Sequence, residues 1–239
     1  MSNVIPIGSW CRAAYQVNAF KGSLGVEKVS YPFDWTITPF SALKNSLSPD
    51  FDLSKVLLSK SVEISKFGSV HDLYSDIIFH HDLEGSHVEY HKLDKRIVER
   101  TFEQHSVVCD TVGRFTYTMD NLKKLKGESD LMFVRWQREG HPDSQLEEAF
   151  VDENIFTLTD VLSNFLGHNL FKVLVVESKT VKNDYEGVSY ELVQHALGAT
   201  AVVYERKGFN GDGTNDFRGD EKAWQPLLND AYRRLIIGE

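Results

Sequence analysis

The sequence predicts an α/β fold of three layers, in which helices cover both faces of a mostly parallel central sheet. Short segments that are apolar throughout alternate with segments whose apolar residues recur at helical spacing. Strands that are buried on both faces are typical of a parallel sheet. The 239 residues, 41% of them hydrophobic, suit a single domain spanning 1–239. We expect strands at five segments: 4–8, 77–79, 131–134, 171–176 and 201–204.

The first elements follow from local signals. A helix is expected over 10–20, directly after the first strand, and the glycines that follow residue 20 end it. The pair Thr38-Pro39 predicts a second helix, with Thr38 as the N-cap and proline at the first helical position. Residues 51–65 are compatible with either a short helix or an edge strand.

The later elements are mainly helices between the apolar strands. Apolar positions at helical spacing from 91 to 126 predict one long helix or two in series. Residues 205–220 form a polar, glycine-rich loop after the last strand, where ligand sites of parallel sheets are found. Further helices are expected at 144–150, 158–166, 188–197 and 221–235.

The composition excludes several classes of protein. A net charge of −9 argues against nucleic acid as a partner, since a phosphate backbone attracts basic surfaces. Cys11 and Cys109 give no disulfide framework, which favours a reducing cytoplasm. No apolar run reaches the roughly 18–20 residues that span a bilayer, and no signal peptide is evident, so we expect a soluble protein. The sequence does not indicate the oligomeric state.

The segment Gly8-Ser9-Trp10-Cys11 joins the first strand to the first helix. Ser9 is a candidate N-cap, which would place Cys11 in the first helical turn. Backbone N–H groups and the helix dipole favour an anion there, so a thiol ionises more easily and becomes a nucleophile. The same N–H groups could hold an oxyanion. The alternative is a small buried cysteine behind a strand, and the residues alone do not decide between the two.

A candidate base follows the strand at 77–79. His81 ends that strand beside Asp82, which could orient the imidazole towards a thiol. Adjacent strand residues point to opposite faces, so one of His80 and His81 would face the site. The alternative is a hydrogen-bonded or exposed histidine pair with no catalytic role.

A metal site is a competing interpretation of the same region. Five residues that could ligate a metal lie within twelve positions: His80, His81, Asp82, His87 and His91. They lack the spacing of a known ligand motif, so neither a metal nor a cofactor is expected.

Other candidate site residues surround these two segments. Asp34 lies among aromatic residues and could orient a histidine or line a pocket, although it could equally cap a turn. We expect the segment from Tyr31 to Trp35 to pack beside the Cys11 loop. Arg135 follows a predicted strand and could bind a substrate carboxylate or phosphate, or form a structural ion pair. The expected substrate-binding residues are Ser9, Trp10, Tyr31, Trp35, His80 and Arg135.

Taken in order, four motifs resemble a family of largely uncharacterised proteins described as papain-like cysteine peptidases. The motifs are Gly8-Ser9-Trp10-Cys11, Tyr31-Pro32-Phe33-Asp34-Trp35, Phe79-x-His81-Asp82 and Phe133-Val134-Arg135. The resemblance implies that Cys11 is the nucleophile and His81 the base, with Asp82 or Asp34 as a third member. The chain departs from true papains, because it has neither a Gln upstream of Cys11 nor a Cys-Gly-Ser-Cys-Trp block.

The first functional hypothesis is therefore an enzyme in which the Cys11 thiolate, with His81 as base, cleaves or transfers the acyl group of an amide or ester. Its substrate would be a small molecule, a peptide or a glycan-linked compound. A nucleotide-sugar-dependent glycosyltransferase, in which Cys11 is structural, is the second hypothesis. An inert binding module on the same fold is the third.

Overall fold

The computed structural model describes residues 4–8, 11–64, 69–79, 106–138, 155–182, 186–206 and 218–239. The helices are α1 (Cys11–Ser23), α2 (Phe40–Ser46), α3 (Ser106–Lys123), α4 (Ile155–Leu166) and α5 (Glu221–Tyr232). The strands are β1 (Val4–Pro6), β2 (Val62–Ile64), β3 (Val70–Asp72), β4 (Ile77–Phe79), β5 (Leu131–Arg138), β6 (Phe171–Val181), β7 (Tyr190–His195) and β8 (Gly198–Arg206).

The main sheet, in the part of the chain that is described, has the strand order β1-β5-β6-β8-β7. Strands β1, β5, β6 and β8 are parallel, and β7 is antiparallel to β8. Ile5 lies opposite Phe133, which in turn lies opposite Val173. The expectation of a mostly parallel sheet of an α/β protein is therefore confirmed.

Alternate residues of the central strands belong to two hydrophobic clusters. Ile5 and Phe133 belong to the first cluster, while their neighbours Val4 and Val134 belong to the second. Because successive side chains of a strand point to opposite faces, the two clusters lie on opposite faces of the sheet. Helices α2, α3 and α4 contribute to the first cluster, and α1 and α5 to the second.

The strand at 77–79 forms, but it does not join the main sheet as predicted. As β4 it is antiparallel to β3, and β3 is antiparallel to β2. A run of three apolar residues carries no period from which its partner could be inferred. Ile77 and Phe79 still pack in the first cluster. The ambiguous segment 51–65 contains both structures, with 3-10 turns at Leu53–Lys55 and Ser59–Ser61 before β2.

The predicted helix at 188–197 is wrong, because this segment contains the strand β7. Tyr190 and Leu192 pack against the second cluster, while Glu191 and Val193 are exposed. This alternation has the period of a strand rather than of a helix. A tight turn leads to Gly198 of β8, where a Cβ atom would stand 1.9 Å from the Val173 carbonyl oxygen. Only glycine therefore fits this point of the sheet.

The other predicted helices agree with the structure where it is described. The helices at 10–20, 158–166 and 221–235 correspond to α1, α4 and α5, and α5 continues into a π turn at Arg233–Ile237. Helix α3 lies within 91–126, whereas 91–105 and 144–150 fall outside the described residues. No helix in the described ranges combines the length and apolar character needed to cross a membrane.

One helix cap differs from the prediction. Pro39 is the N-cap residue of α2, and the helix begins at Phe40 without a side-chain cap. The Thr38 hydroxyl is instead paired with the Thr36 hydroxyl at 2.7 Å, in a buried position. The Thr38 carbonyl oxygen accepts a hydrogen bond from Arg135 Nη2.

Candidate active site

The carboxyl ends of β1 and β5 define the candidate site. These strands are neighbours, yet the helices that follow them pack in different clusters: α1 in the second and α4 in the first. Chains that leave adjacent parallel strands towards opposite faces open a crevice at the sheet edge, where α/β proteins bind ligands. Cys11, the first residue of α1, is placed at this edge.

Cys11 is located in the first helical turn, as predicted. Cys11 is 5% exposed, and neither Cys11 nor the exposed Cys109 forms a disulfide. The first turn of α1 contains no acidic residue that would oppose a thiolate. Ser9 and Trp10 lie outside the described residues, so the N-cap and the substrate contact predicted for them stay predictions.

Arg135 is completely buried beside this loop. Its Nη1 donates to the Ile7 carbonyl oxygen at 2.6 Å, and its Nη2 donates to the Thr38 carbonyl oxygen at 2.9 Å. Gly8 has a φ of +83°, and a Cβ there would lie 3.0 Å from Thr38 Cβ and 3.1 Å from Arg135 Nη1. Arg135 thus ties the end of β1 to the segment before α2. The predicted contact of Arg135 with substrate stays a prediction.

Asp34 forms a buried cluster with Tyr31 and Lys21. The carboxylate is 1% exposed, and its Oδ2 accepts the Tyr31 N–H at 3.0 Å. Its Oδ1 has no hydrogen-bond partner within the described ranges. The Lys21 ammonium lies 5.3 Å from the centroid of the Tyr31 ring. The structure therefore groups a carboxylate, a phenol and an ammonium in the core.

Burial shifts the ionisation of all three groups. It raises the pKa of Asp34 to about 7, against the opposing effects of the Tyr31 N–H and the Lys21 charge. It also raises the pKa of Tyr31 to about 12, with a further contribution from the Asp34 charge. For Lys21, burial lowers the pKa, and the Asp34 charge partly restores it. A carboxyl that titrates near neutrality can exchange a proton under physiological conditions.

The sequence interpretation missed Lys21, although a signal was present. Lys21 falls four residues after Val17 and seven after Ala14, on the same buried side of α1. Because Lys21 follows Cys11 by ten residues, it is displaced from it by about 15 Å along the helix axis. Asp34 interacts with Tyr31 and Lys21, on the side of α1 where Lys21 lies.

A cavity of about 320 Å³ lies between the aromatic segment and α3. Tyr31 and Trp35 form one side, and Trp35 is 38% exposed. This volume is in the range of small-molecule sites. The position of Trp35 beside the Cys11 loop stays a prediction. The helix side of the cavity consists of Arg114, Phe115, Tyr117 and Thr118.

A second buried polar cluster adjoins Cys11, and sequence reasoning missed it as well. Arg12 Nη1 lies 2.5 Å from Glu205 Oε2, and its guanidinium stacks 4.3 Å from the Trp136 ring. Glu205 Oε1 accepts from Trp224 Nε1 at 3.0 Å and from the Asp220 N–H at 3.1 Å. The Arg12–Glu205 pair therefore joins α1 to the end of β8, at the residue that follows Cys11.

The candidate base lies outside the described residues, together with its neighbours His80 and Asp82. The same is true of the other residues of the competing metal interpretation, His87 and His91. Comparison with protein-family models, with curated proteins and with solved structures finds no match for this chain.

Proposed function

We propose that this protein is a cysteine-dependent hydrolase or acyltransferase of the papain-like peptidase family that its motifs resemble. Its chain would form one domain of three layers, with α1 and α5 on one face of the sheet and α3 and α4 on the other. The two thiols, which form no disulfide, support a cytoplasmic location. The substrate would be an amide or ester of a small molecule, a peptide or a glycan-linked compound.

The position of Cys11 carries this proposal. It begins a helix of 13 residues after β1, whose parallel neighbour in the sheet is β5. The N–H groups of the first turn and the helix dipole favour the thiolate, and such N–H groups can also stabilise an oxyanion that develops on a bound carbonyl. Nucleophile and oxyanion stabilisation would therefore come from the same helical turn.

The connection between β4 and the Cys11 loop supports His81 as the base. Ile78 of β4 exchanges two backbone hydrogen bonds with Ile37, at 2.9 and 3.0 Å. The next residue, Thr38, accepts from Arg135, which also holds Ile7. His81 follows β4 by two residues, a distance of at most about 7 Å along the chain. Asp82 is the proposed orienting carboxylate, since the contacts of Asp34 are with Lys21 and Tyr31.

The reaction would proceed in two steps. The Cys11 thiolate attacks the carbonyl carbon, and the resulting oxyanion is held by the N–H groups of α1. The imidazolium of His81 gives its proton to the leaving amine or alcohol as the tetrahedral species collapses to a thioester. His81 then removes a proton from water or from an acceptor nucleophile, which attacks the thioester and regenerates the thiolate.

An acylation experiment tests the proposal. The Cys109→Ala variant is incubated with a panel of p-nitrophenyl esters, and its intact mass is measured during turnover. We expect a burst of p-nitrophenol and an acyl adduct on Cys11, both of which disappear in Cys11→Ala/Cys109→Ala. Equal turnover by both variants would contradict a cysteine mechanism.

The burial of Cys11 favours the glycosyltransferase as a second candidate. A cysteine that is 5% exposed can serve as a packing residue, and the crevice of a parallel sheet is a common nucleotide site. In this case UDP- or GDP-sugars would raise the melting temperature, and Cys11→Ala would keep the response. A panel of sugar nucleotides without any such effect would eliminate this candidate.

A further inference from the structure

We propose that Glu205 is a positioning residue for the Cys11 thiol and acts on it through Arg12, an inference that rests on the proposed function. Arg12 directly follows Cys11, and its guanidinium is held by the Glu205 carboxylate at 2.5 Å. The pair would fix the first turn of α1 and balance the charge beside the thiol.

Glu205 is held rigidly enough for this role. The residue is 2% exposed, and its two carboxylate oxygens receive three donors: Arg12 Nη1, Trp224 Nε1 and the Asp220 N–H. Gly219, with φ at +81°, closes the remaining side, because a Cβ there would lie 2.8 Å from Glu205 Oε1. The carboxylate therefore has a defined orientation.

Arg12 is fixed from a second direction. Its guanidinium lies 4.3 Å from the centroid of the Trp136 ring, and the Trp136 indole donates to Ser178 Oγ at 2.7 Å. Strands β5 and β6 thus support one side of the guanidinium, while β8 supports the other. Because Cys11 and Arg12 share a planar peptide bond, holding Arg12 restricts the backbone of Cys11.

The energetics of buried ion pairs make this placement informative. A buried pair is weak evidence for stability, because well-packed apolar residues of similar volume often serve equally well. What such a pair does supply is a fixed geometry and a fixed local charge. Its location at the residue next to the candidate nucleophile therefore points to control of the thiol.

Other charges near the first turn of α1 come from the neighbouring elements. Arg135 of β5 lies against Gly8, and Arg206 of β8 is paired with Asp220 at 2.8 and 3.0 Å. Arg206 and Asp220 resemble Arg12 and Glu205 in type and in burial of the carboxylate. They differ in that neither is adjacent to Cys11 in the chain, which makes Asp220 a matched control.

The test is the pH profile of Cys11 alkylation by iodoacetamide in the Cys109→Ala background, followed by intact mass. Glu205→Gln keeps an acceptor for Trp224 but removes the negative charge that faces the Arg12 guanidinium. A unit charge roughly 10 Å away, at an effective dielectric of about 20, changes an ionisation midpoint by about one pH unit. We expect a midpoint lower by about that amount, and alkylation about 10-fold faster below it.

Arg12→Met should shift the midpoint in the opposite direction, because the carboxylate then remains without its cation. If the pair only stabilised the structure, both variants would loosen α1, and both alkylation midpoints would shift in the same direction. Asp220→Asn, which keeps the N-cap of α5, should leave the midpoint at the wild-type value. The double variant Arg12→Met/Glu205→Gln removes both charges of the pair, and its midpoint should return to the wild-type value.

Unshifted midpoints in both single variants, or shifts in the same direction, would overturn the positioning role while leaving Cys11 as nucleophile. A wild-type Cys11 that titrates as an ordinary thiol would instead contradict the proposed function itself. If Glu205→Gln fails to fold, Arg12→Met is compared with Arg12→Met/Glu205→Gln. A midpoint that is raised in the first and returns to the wild-type value in the second supports the positioning role, whereas a midpoint that is raised equally in both contradicts it.

Discussion

Buried ionisable side chains give this protein its most unusual single-residue features. Asp34 is held in the core with one carboxylate oxygen bonded to the Tyr31 N–H and the other without a hydrogen-bond partner among the described residues. Desolvation of a charged carboxylate opposes folding unless hydrogen bonds or a counter-charge offset it. Lys21 supplies such a charge, but it is itself buried and its pKa is lowered.

Asp34→Asn should stabilise the protein at pH 8 and have little effect at pH 4. The pKa of Asp34 is about 7 in the folded state, against 3.8 as its ordinary value, so between these values the folded state binds more protons. The free energy of unfolding therefore falls as the pH rises through this window. We expect a gain on the order of 3 kcal/mol at pH 8, measured by urea unfolding.

The exposed carboxylate of Asp50 provides the control for this comparison. Asp50→Asn should follow the wild-type pH profile closely. A difference between Asp34→Asn and wild type that stays constant from pH 4 to pH 8 would show that folding does not raise the pKa of Asp34.

For single residues, the sequence predicts the place in a helix or strand better than the contacts that the side chain makes. The Gly8-Ser9 break placed Cys11 correctly in the first turn, because helix starts follow from local backbone and capping rules. The partners of Arg12 and Arg135 could not be predicted in the same way. Glu205 is 193 residues from Arg12, so their contact depends on the arrangement of strands and not on any local pattern.

Among the elements, the small antiparallel sheet is joined to α2 by a charged network. His71 of β3 has its Nδ1 3.0 Å from Glu63 Oε1 and its Nε2 2.8 Å from Asp76 Oδ1. Asp76 also accepts from the Ser41 hydroxyl of α2. Carboxylates only accept, so both ring nitrogens must donate, and the network requires a protonated imidazole.

His71→Gln should therefore destabilise the protein in a pH-dependent way. The bond to Asp76 raises the pKa of His71, with Glu63 contributing and burial opposing. Stabilisation by a group whose pKa is raised is present at low pH and is lost as the pH rises through the folded pKa. We expect a loss of about 1 kcal/mol at pH 6 and a smaller loss at pH 9, measured by urea unfolding.

His195→Gln is the matched control, since His195 lies on the exposed edge strand β7, paired with Thr200. It should have only a small effect at either pH value. Equal losses for His71→Gln at pH 6 and pH 9 would exclude a charged network.

The elements that the sequence misassigned share one property. Both β4 and β7 pair with antiparallel partners. Long-range pairing of a short strand is not specified by its own residues, and the alternation in β7 covers few positions. The parallel strands β5 and β6 were recognised because each is apolar over a continuous run between helical segments.

Over the whole molecule, Arg135 joins the main sheet to the segment that leads to α2 and the small sheet. Arg135→Met would leave the Ile7 and Thr38 carbonyl oxygens without these donors in a buried position. Unsatisfied buried acceptors are costly, so we expect a loss of about 3 kcal/mol in the free energy of unfolding.

Arg233→Met, at an exposed arginine paired with Glu239, should leave the stability nearly unchanged and serves as the comparison. If Arg135→Met had wild-type stability but impaired turnover, Arg135 would serve substrate binding rather than the connection between Ile7 and Thr38.

The central claim for the molecule is that its fold places Cys11 as a nucleophile at the carboxyl edge of the sheet. The most direct measurement is the rate of Cys11 alkylation by iodoacetamide between pH 5 and pH 10, followed by peptide mass spectrometry with the exposed Cys109 as an internal reference. We predict a midpoint below the value of about 8.5 that is ordinary for a thiol. The His81→Ala variant should react more slowly near pH 7. A Cys11 that reacts with the pH profile of an ordinary thiol, unchanged in His81→Ala, would contradict the claim.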